Sequence, residues 1–357
     1  TTIWTLSNGA KVVIKPTTFK DDEILMTGIS KGGNLLYEDK DIPNLKIFNN
    51  IIDLGGLGNF NNIDLKKVLA GKNVSLSIGL DDRSEIVNGS STPKDLVTLM
   101  QLLYLSFTDQ HKDPEAVEAW KSKIKDMLKN VSANPRAAFK DSLNVALYKE
   151  NPRKMSLKPE EIDQTDYDRI LQIWKERFGD ASDFTFTFVG NIDEKELKPL
   201  VEKYIASLPS TYSKEKPGTD KVGIRMDNYT NHFEKPMQTL TSTVYGAYVG
   251  KCKYSLENNI KLNMFDQIMD IVYTATIREE EGGTYGVGTQ SVLSKETDTW
   301  MFLFGFDTNP EMQEKLQKRA ISELEKTINE GPSEKDFNKV KEYMLKSHTE
   351  NLHKNKY

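Results

Sequence analysis

The sequence predicts an α+β protein of two homologous domains, each a mostly antiparallel sheet with helices packed on one face. The 357 residues exceed what a single core usually holds, since domains run to roughly 100 to 200 residues. Apolar strands come as hairpins and meanders, with long amphipathic helices between them. The alternation of strand and helix recurs after a polar stretch near residue 210. These three observations favour two like domains over one doubly wound parallel sheet.

The first elements are strands joined by a tight turn. Ile3 to Leu6 leads through the turn signal Asn8-Gly9 into Lys11 to Lys15. Ile24 to Ser30 follows as a further strand. After a helix that begins near Pro43, we expect a short helix over Asp64 to Ala70 and an alternating strand over Val74 to Leu80.

Helices dominate the middle of the first domain. Thr92 is a hydroxyl cap followed by Pro93, so a buried helix is expected to reach about Phe107, and Pro114 begins another in the same way. Further helices are predicted over 136–148 and 166–177. The strand Asp183 to Gly190 then places three Phe on one face. Asp193 begins a helix that ends near Ser207.

Residues 1–210 therefore form the first predicted domain, 211–222 a linker and 223–357 the second domain. The linker is predicted because this stretch is rich in Ser, Thr, Lys, Pro and Gly. The second domain is expected to contain three strands, Thr239 to Val249, Tyr285 to Leu293 and Asp298 to Phe306. Its helices are predicted over 254–278, 310–330 and 333–353, the last with a buried stripe of Phe337, Val340, Tyr343 and Met344.

Composition excludes several classes of function. There are 48 basic and 53 acidic residues, and the net charge of −5 provides no basic surface for nucleic acid. Val97 to Phe107, the longest nearly apolar run, is about half of what a bilayer requires, so no membrane span is expected. One cysteine, Cys252, permits no internal disulfide. The chain begins at Thr1 without Met, so we expect a piece of a longer protein.

Common catalytic and metal motifs are missing from the sequence. It contains no GxGxxG after a strand, no Walker loop, no GxSxG and no CxxC. Four histidines are present, and His348 and His353 stand five residues apart. On a helix they would diverge by roughly 140° instead of sharing a face. We therefore expect no metal site on this chain.

The segment from Arg278 to Gly288 breaks local rules. Three consecutive Glu, Glu279 to Glu281, lie at a predicted helix C-terminus, where they oppose the macrodipole. Four Gly then fall within seven residues around Tyr285. Such violations are typical of functional sites, where a guanidinium can bind a carbonyl or carboxylate and a phenol can donate to an oxyanion. The residues alone equally favour a Schellman-type helix stop before a strand.

Several segments together resemble the pitrilysin/insulinase zinc peptidases. They are LSNGAKVVIKP from Leu6, Ser30 to Gly33, FTFTFVGNIDEKELKPLVEKYIASLP from Phe184 and IREEEGGTYGVG from Ile277. The resemblance implies two homologous halves that close around a peptide chamber. The active half of that family carries HxxEH on the helix after the first hairpin, with two His ligands and a Glu base. The corresponding helix here, from Pro43 to Ile52, contains no His and no Glu.

The chain is therefore similar to the C-terminal, non-catalytic half, and the resemblance assigns roles to two residues. Arg278 is expected to bind the substrate backbone. Tyr285 is expected to bind it too and to polarise the scissile carbonyl, in trans to the zinc half. Zinc is expected in the missing N-terminal half and no cofactor on this chain, which alone would be inactive. The expected partners are that half and peptide substrates.

An alternative from another class is a catalytically inactive homologue that serves as a scaffold or processing-complex subunit. The sequence upstream of Thr1 separates the two, since HxxEH there supports the peptidase. No signal marks the compartment, and our expectation is the bacterial periplasm or cell envelope.

Overall fold

A computed structural model describes residues 1–131 and 134–357, and these form two compact units. Unit 1 contains Thr1–Val145, Glu150–Gly223 and Lys354–Tyr357. Unit 2 contains Ala146–Lys149 and Ile224–His353. Each unit combines a sheet with helices, and the α+β class predicted from the sequence is confirmed.

Unit 1 is built on a six-stranded sheet in the order β1-β2-β8-β3-β7-β6. Strands β2 and β8 pair in parallel, and the other neighbours pair antiparallel. Strands β4 and β5 form a separate small hairpin. The strands are β1 Thr2–Thr5, β2 Lys11–Pro16, β3 Ile24–Lys31, β4 Gly56–Leu57, β5 Phe60–Asn61, β6 Val74–Leu80, β7 Ser84–Ser91 and β8 Thr185–Gly190.

The predicted cap at Thr92 is present, at the start of a short 3₁₀ turn, Pro93–Asp95, that leads into the helix Leu96–Thr108. The Thr92 side chain accepts a hydrogen bond from the Asp95 amide, as an N-cap does. The helices are α1 Ile42–Ile51, α2 Asn62–Val68, α3 Leu96–Thr108, α4 Pro114–Val131, α5 Pro135–Tyr148, α6 Pro159–Asp163, α7 Tyr167–Phe178 and α8 Glu194–Leu200. A π-helical turn, Val201–Ile205, continues α8.

An aromatic cluster fills the core of unit 1. Phe184, Phe186 and Phe188 are buried on one side of the β8 segment, as their alternation predicts. Phe107 from α3 lies with its ring centroid 5.0 Å from that of Phe184 and 5.5 Å from that of Phe178. These edge-to-face pairs bind helices α3 and α7 to the sheet.

Strand β7 was not predicted. Its sequence, SEIVNGSS, has two adjacent apolar residues in place of an alternating row, and its Glu85 is completely buried. The Glu85 carboxylate accepts hydrogen bonds from the Ser30 hydroxyl at 2.7 Å and the Gly33 amide at 2.9 Å. A guanidinium nitrogen of Arg177 lies 3.6 Å away. Contacts far apart in sequence thus stabilise a strand that has no local signal.

Unit 2 has a three-stranded antiparallel sheet in the order β10-β11-β9. Its strands are β9 Ser242–Lys251, β10 Val287–Leu293 and β11 Thr299–Thr308. Its helices are α9 Leu256–Tyr273, α10 Gln313–Glu330 and α11 Glu334–Asn351, and a π-helical stretch, Thr274–Glu280, continues α9. One face of the sheet packs against helices through a cluster that includes Val244, Phe302, Phe304, Tyr273 and Leu316.

The predicted buried stripe of α11 is wrong in part. Val340 is buried, but Phe337 and Tyr343 are exposed. A 3.6-residue period shows which side chains share a helix face, and it does not show whether another element covers all of that face.

The predicted linker makes specific contacts within unit 1. Glu215 binds Arg177 through two hydrogen bonds of 2.5 and 3.0 Å, and the Lys221 ammonium donates to the Tyr37 carbonyl at 3.0 Å. By contrast, residues 226–241 are all exposed and contain no helix or strand.

No helix in the described part of the chain has both the length and the apolar composition that a membrane span requires.

Candidate functional site

The candidate site begins where α9 widens into the π-helical stretch Thr274–Glu280. Ile277 is fully buried and anchors this stretch in the core of unit 2. The next residue, Arg278, is exposed and forms no hydrogen bond or ion pair with the residues that the structure describes. π-Helical turns frequently occur at functional sites, because the extra residue changes the direction of the side chains.

The acidic run after Arg278 has a structural explanation in part. Glu280 forms an ion pair with Arg319 at 2.9 Å, and Glu281 forms one with Lys315. Both cations lie on α10, so they offset the unfavourable position of the carboxylates at a helix C-terminus. The negative charge that the sequence alone could not explain is therefore largely structural.

The four glycines divide into two pairs. Gly282 has a left-handed φ of +63° at the end of the helix, where a Cβ would be strained. Gly283 lies against α10, and a Cβ on it would come within 2.8 Å of Leu316. Gly286 and Gly288 lie outside the left-handed region, and a Cβ on either would have no neighbour within 4 Å. The fold of the described residues therefore does not require this second pair.

Tyr285 lies between the two pairs and is completely exposed, at 102% of its reference area. The Thr284 hydroxyl fixes the backbone around it: this hydroxyl donates to the Gly286 carbonyl at 2.9 Å and accepts from the Gly286 amide at 3.2 Å. Thr308 also donates to the Gly283 carbonyl at 2.6 Å. An ordered backbone thus presents an aromatic ring and a phenol to the outside of unit 2.

A shallow groove of about 380 Å³ lies beside Tyr285. Thr243 and Tyr245 alternate with the buried Val244 on β9, so their side chains lie on the sheet face opposite the core cluster. The ring of Tyr245 lies against Gly305, where a Cβ would come within 2.4 Å of it. The Thr243 hydroxyl bonds the Asp307 carboxylate at 2.5 Å. We call this concavity the tyrosine groove, and its walls and floor include Thr243, Tyr245, Tyr285, Gly286, Gly305 and Asp307.

Sequence reasoning identified Arg278 and Tyr285 but missed Tyr245 and Asp307. Two weak signals could have located them, since glycine inside a strand often marks a close approach, and Gly246 and Gly305 are such residues. Strand pairing brings Tyr245 opposite Gly305 across a separation of 60 positions, and no local pattern encodes that register.

The residues of helix α1 do not fit a zinc site. The Asn44 side chain accepts from the Asp166 amide at 2.8 Å, and Lys46 pairs with Glu161 at 2.7 Å. Asn49 bonds both backbone groups of Leu80. Within residues 1–131 and 134–357, no group of three or more His, Cys, Asp or Glu could hold a metal ion. These three polar side chains of α1 thus bind neighbouring elements of unit 1.

A protein-family model matches about half of the chain. Residues 165–344 match the family model described as the peptidase M16 inactive domain. The chain belongs to this family. The predicted pitrilysin-type zinc peptidase family is confirmed, and the chain is homologous to the inactive half of M16 zinc proteases such as PqqL.

Two curated relatives cover nearly all of this chain. A probable zinc protease, PqqL of Escherichia coli, is 20% identical over 349 residues, or 96% of this chain and 37% of the relative. A PQQL-like zinc protease of Arabidopsis thaliana is 23% identical over 374 residues, or 99% of this chain and 36% of the relative. The chain therefore spans little more than a third of the length of these relatives.

Solved structures agree on the fold. The periplasmic protease PqqL from Escherichia coli has a TM-score of 0.87 at 18% identity, with all of this chain and 40% of that chain covered. The first half of the same protease has a TM-score of 0.71 at 14% identity, with 98% of this chain and 77% of that chain covered. The fold of this chain thus resembles a part of the protease chain, and it also resembles the separately solved first half.

Proposed function

We propose that this chain is the C-terminal, non-catalytic half of a zinc metallopeptidase, which completes a chamber for extended peptides. Three findings support the proposal. The chain belongs to the M16 inactive-domain family, its relatives are about three times as long, and its fold resembles the first half of one protease. A longer protein with two similar halves accounts for all three. The partner of this chain is then the N-terminal catalytic half of the same protein.

The observation that supports the proposal most strongly is the exposure of Tyr285, together with an exposed Arg278 that forms no ion pair with any described residue. An exposed aromatic ring gains no burial energy, and an unpaired guanidinium gains no ion pair, so neither contributes much to folding. Thr284 and Thr308 hold the backbone on either side of Tyr285, and the buried Ile277 anchors the π-helical stretch that carries Arg278. Exposed functional side chains on an ordered backbone are suited to binding a ligand.

Each residue has a distinct proposed role. Arg278 donates hydrogen bonds to backbone carbonyls of the peptide, which its planar guanidinium can reach in pairs. Tyr285 donates its phenolic proton in a hydrogen bond to the scissile carbonyl oxygen, where negative charge develops. Gly286 and Gly288 leave the strand open, so the peptide backbone can approach closely. Zinc, which the other half would hold, supplies the activated water.

The location that we propose is the bacterial periplasm or cell envelope. The Escherichia coli relative is described as a periplasmic protease, which supports the proposal for this chain. Immunoblotting of fractionated cells tests it, with the protein expected in the periplasmic or envelope fraction.

The role of Arg278 is tested in the full-length protein with a quenched fluorescent peptide. Arg278→Ala should raise KM about 10-fold, with a smaller change in kcat, because the guanidinium binds the substrate in both the ground and transition states. Arg136→Ala replaces an exposed arginine of the first unit and is the matched control. An unchanged KM in Arg278→Ala would show that this residue does not bind the substrate.

A full-length protein that neither binds zinc nor cleaves peptides would instead favour the alternative function, a scaffold or processing-complex subunit.

A further inference from the structure

The tyrosine groove contains a carboxylate that the fold does not neutralise. Asp307 is exposed at the end of β11, and it forms no ion pair with any residue that the structure describes. Its one hydrogen bond in the described part of the chain comes from the Thr243 hydroxyl, at 2.5 Å. That neutral bond orients one carboxylate oxygen and leaves the negative charge and the second oxygen available.

Two tyrosines line the groove together with this carboxylate. Tyr245 lies two residues from Thr243 on β9, and its ring covers Gly305, which lies two residues from Asp307 on β11. Tyr285 lines the same groove just before β10. Two phenol rings and one carboxylate around a shallow cavity form a site that suits a cation, since ring faces attract cations and the carboxylate pairs with them.

The groove is also close to the proposed position of the scissile bond. Val287 pairs with Phe306 and Gly288 with Gly305, so Gly286 and Asp307 lie at the same end of β10 and β11. Neighbouring strands are about 4.8 Å apart, so a group held by Tyr285 is within side-chain reach of Asp307. Among the described residues that line the groove, no lysine, arginine or histidine competes for the carboxylate.

We propose that the tyrosine groove is a specificity site for a basic side chain, lysine or arginine, of the peptide next to the bond that is cleaved. Asp307 pairs with the cationic head, and the Tyr245 ring packs against the aliphatic stem and the cation. This inference rests on the proposed function for the position of the scissile bond, whereas the binding of a basic side chain rests on the groove alone.

The test uses the full-length protein and two peptides that differ at one position, Lys or Gln, beside the cleaved bond. We expect kcat/KM for the Lys peptide to exceed that for the Gln peptide about 5- to 10-fold, from one solvated ion pair and one cation–π contact. Asp307→Asn keeps the acceptor for Thr243 and should reduce this ratio to about 2-fold. Asp270→Asn, which replaces an exposed aspartate on α9, should keep the full ratio.

A second measurement separates this inference from the proposed function. Fluorescence anisotropy with the metal removed by a chelator gives the Kd of each labelled peptide without hydrolysis. The Lys peptide should bind about 5-fold more tightly, and Asp307→Asn should abolish the difference. If the protein binds the Lys peptide more tightly than the Gln peptide but has no peptidase activity, the proposed specificity site stands and the proposed function is wrong. If the protein is an active peptidase and Asp307→Asn leaves the Lys-to-Gln ratio of kcat/KM unchanged, the proposed specificity site is wrong and the proposed function stands.

Discussion

Arg177 in unit 1 and Arg278 in unit 2 both lie near the end of a helix, but their surroundings are opposite. Arg177 is largely buried, with 10% of its side-chain area exposed, and contacts Glu215 and Glu85. Arg278 is exposed and has no partner among the described residues. A buried charge with partners serves the fold, because its removal leaves other charges unsatisfied. An unpaired charge on a fixed backbone is available to a ligand.

The same contrast appears in the glycines near each arginine. Gly33 has a left-handed φ of +78°, and a Cβ on it would come within 2.5 Å of the Arg83 amide. Gly286 has neither constraint. Both lie in segments that resemble the peptidase family, so family resemblance alone does not separate residues that serve the fold from candidates for ligand binding.

The largest difference is expected between the two arginine-to-alanine variants. Arg177→Ala leaves Glu85 buried without its cation, which should cost about 3 kcal/mol of unfolding free energy. Arg278→Ala should change it by less than about 0.5 kcal/mol. Urea unfolding of the full-length variants measures both changes in unfolding free energy. Hydrogen exchange then locates them, at residues 24–31 for Arg177→Ala and at residues 274–288 for Arg278→Ala. Equal destabilisation by the two substitutions would contradict the distinction between Arg177, which serves the fold, and Arg278, which is available to a ligand.

A second expected effect concerns the acid stability of unit 1 and comes from Asp180. Burial raises the pKa of Asp180, but hydrogen bonds from Ser182 and Thr211 outweigh it and lower the pKa from 3.8 to about 2. Because the folded pKa is the lower one, this stabilisation is present above about pH 4 and is lost as the pH falls towards 2. We expect about 1 kcal/mol after allowance for solvent screening.

Asp180→Asn isolates that contribution. Its unfolding free energy should fall less steeply between pH 4 and pH 2 than that of the wild type, as measured by urea titrations at each pH. A slope equal to that of the wild type would show that other carboxylates control the acid transition.

A smaller effect is expected for the glycines of the candidate site. Gly283→Ala should destabilise unit 2 by about 1 kcal/mol, since the methyl group meets the flexible ends of Leu316 and Met312. Gly286→Ala should change stability by less than about 0.5 kcal/mol and yet lower kcat/KM, because the methyl group occupies the proposed peptide path. Thermal unfolding and peptide hydrolysis of the two variants give the comparison. Full activity in Gly286→Ala would place the peptide elsewhere.

The smallest effect on folding is expected from one cut between the units. We propose a boundary near residue 223, where the segment Glu150–Gly223 of unit 1 ends. Residues 226–241 are exposed, whereas the stretch 211–222 is bonded to unit 1 through Glu215 and Lys221. Brief subtilisin digestion should therefore cut first within 226–241 and leave both units folded. First cleavage within residues 74–107 would show that the proposed boundary is wrong.

The sequence was most informative where the signal is local. Caps at Thr92 and Ser333, the Phe alternation of β8 and the glycine-rich segment were all evident from neighbouring residues. Strand β7 and the ion pairs of Glu280 and Glu281 depend on partners that lie far away in the chain. The tyrosine groove was missed for the same reason, because strand register brings Tyr245 and Asp307 together.

The central claim is that Tyr285 serves catalysis and has no role in folding. Its most direct test is the kcat of Tyr285→Phe in the full-length protein, measured together with the thermal midpoint. Loss of a hydrogen bond made chiefly in the transition state should lower kcat about 10²-fold, with a smaller change in KM and an unchanged midpoint. Tyr343→Phe, at an exposed tyrosine of α11, should match the wild type. Full activity in Tyr285→Phe, or activity lost only together with thermal stability, would contradict the claim.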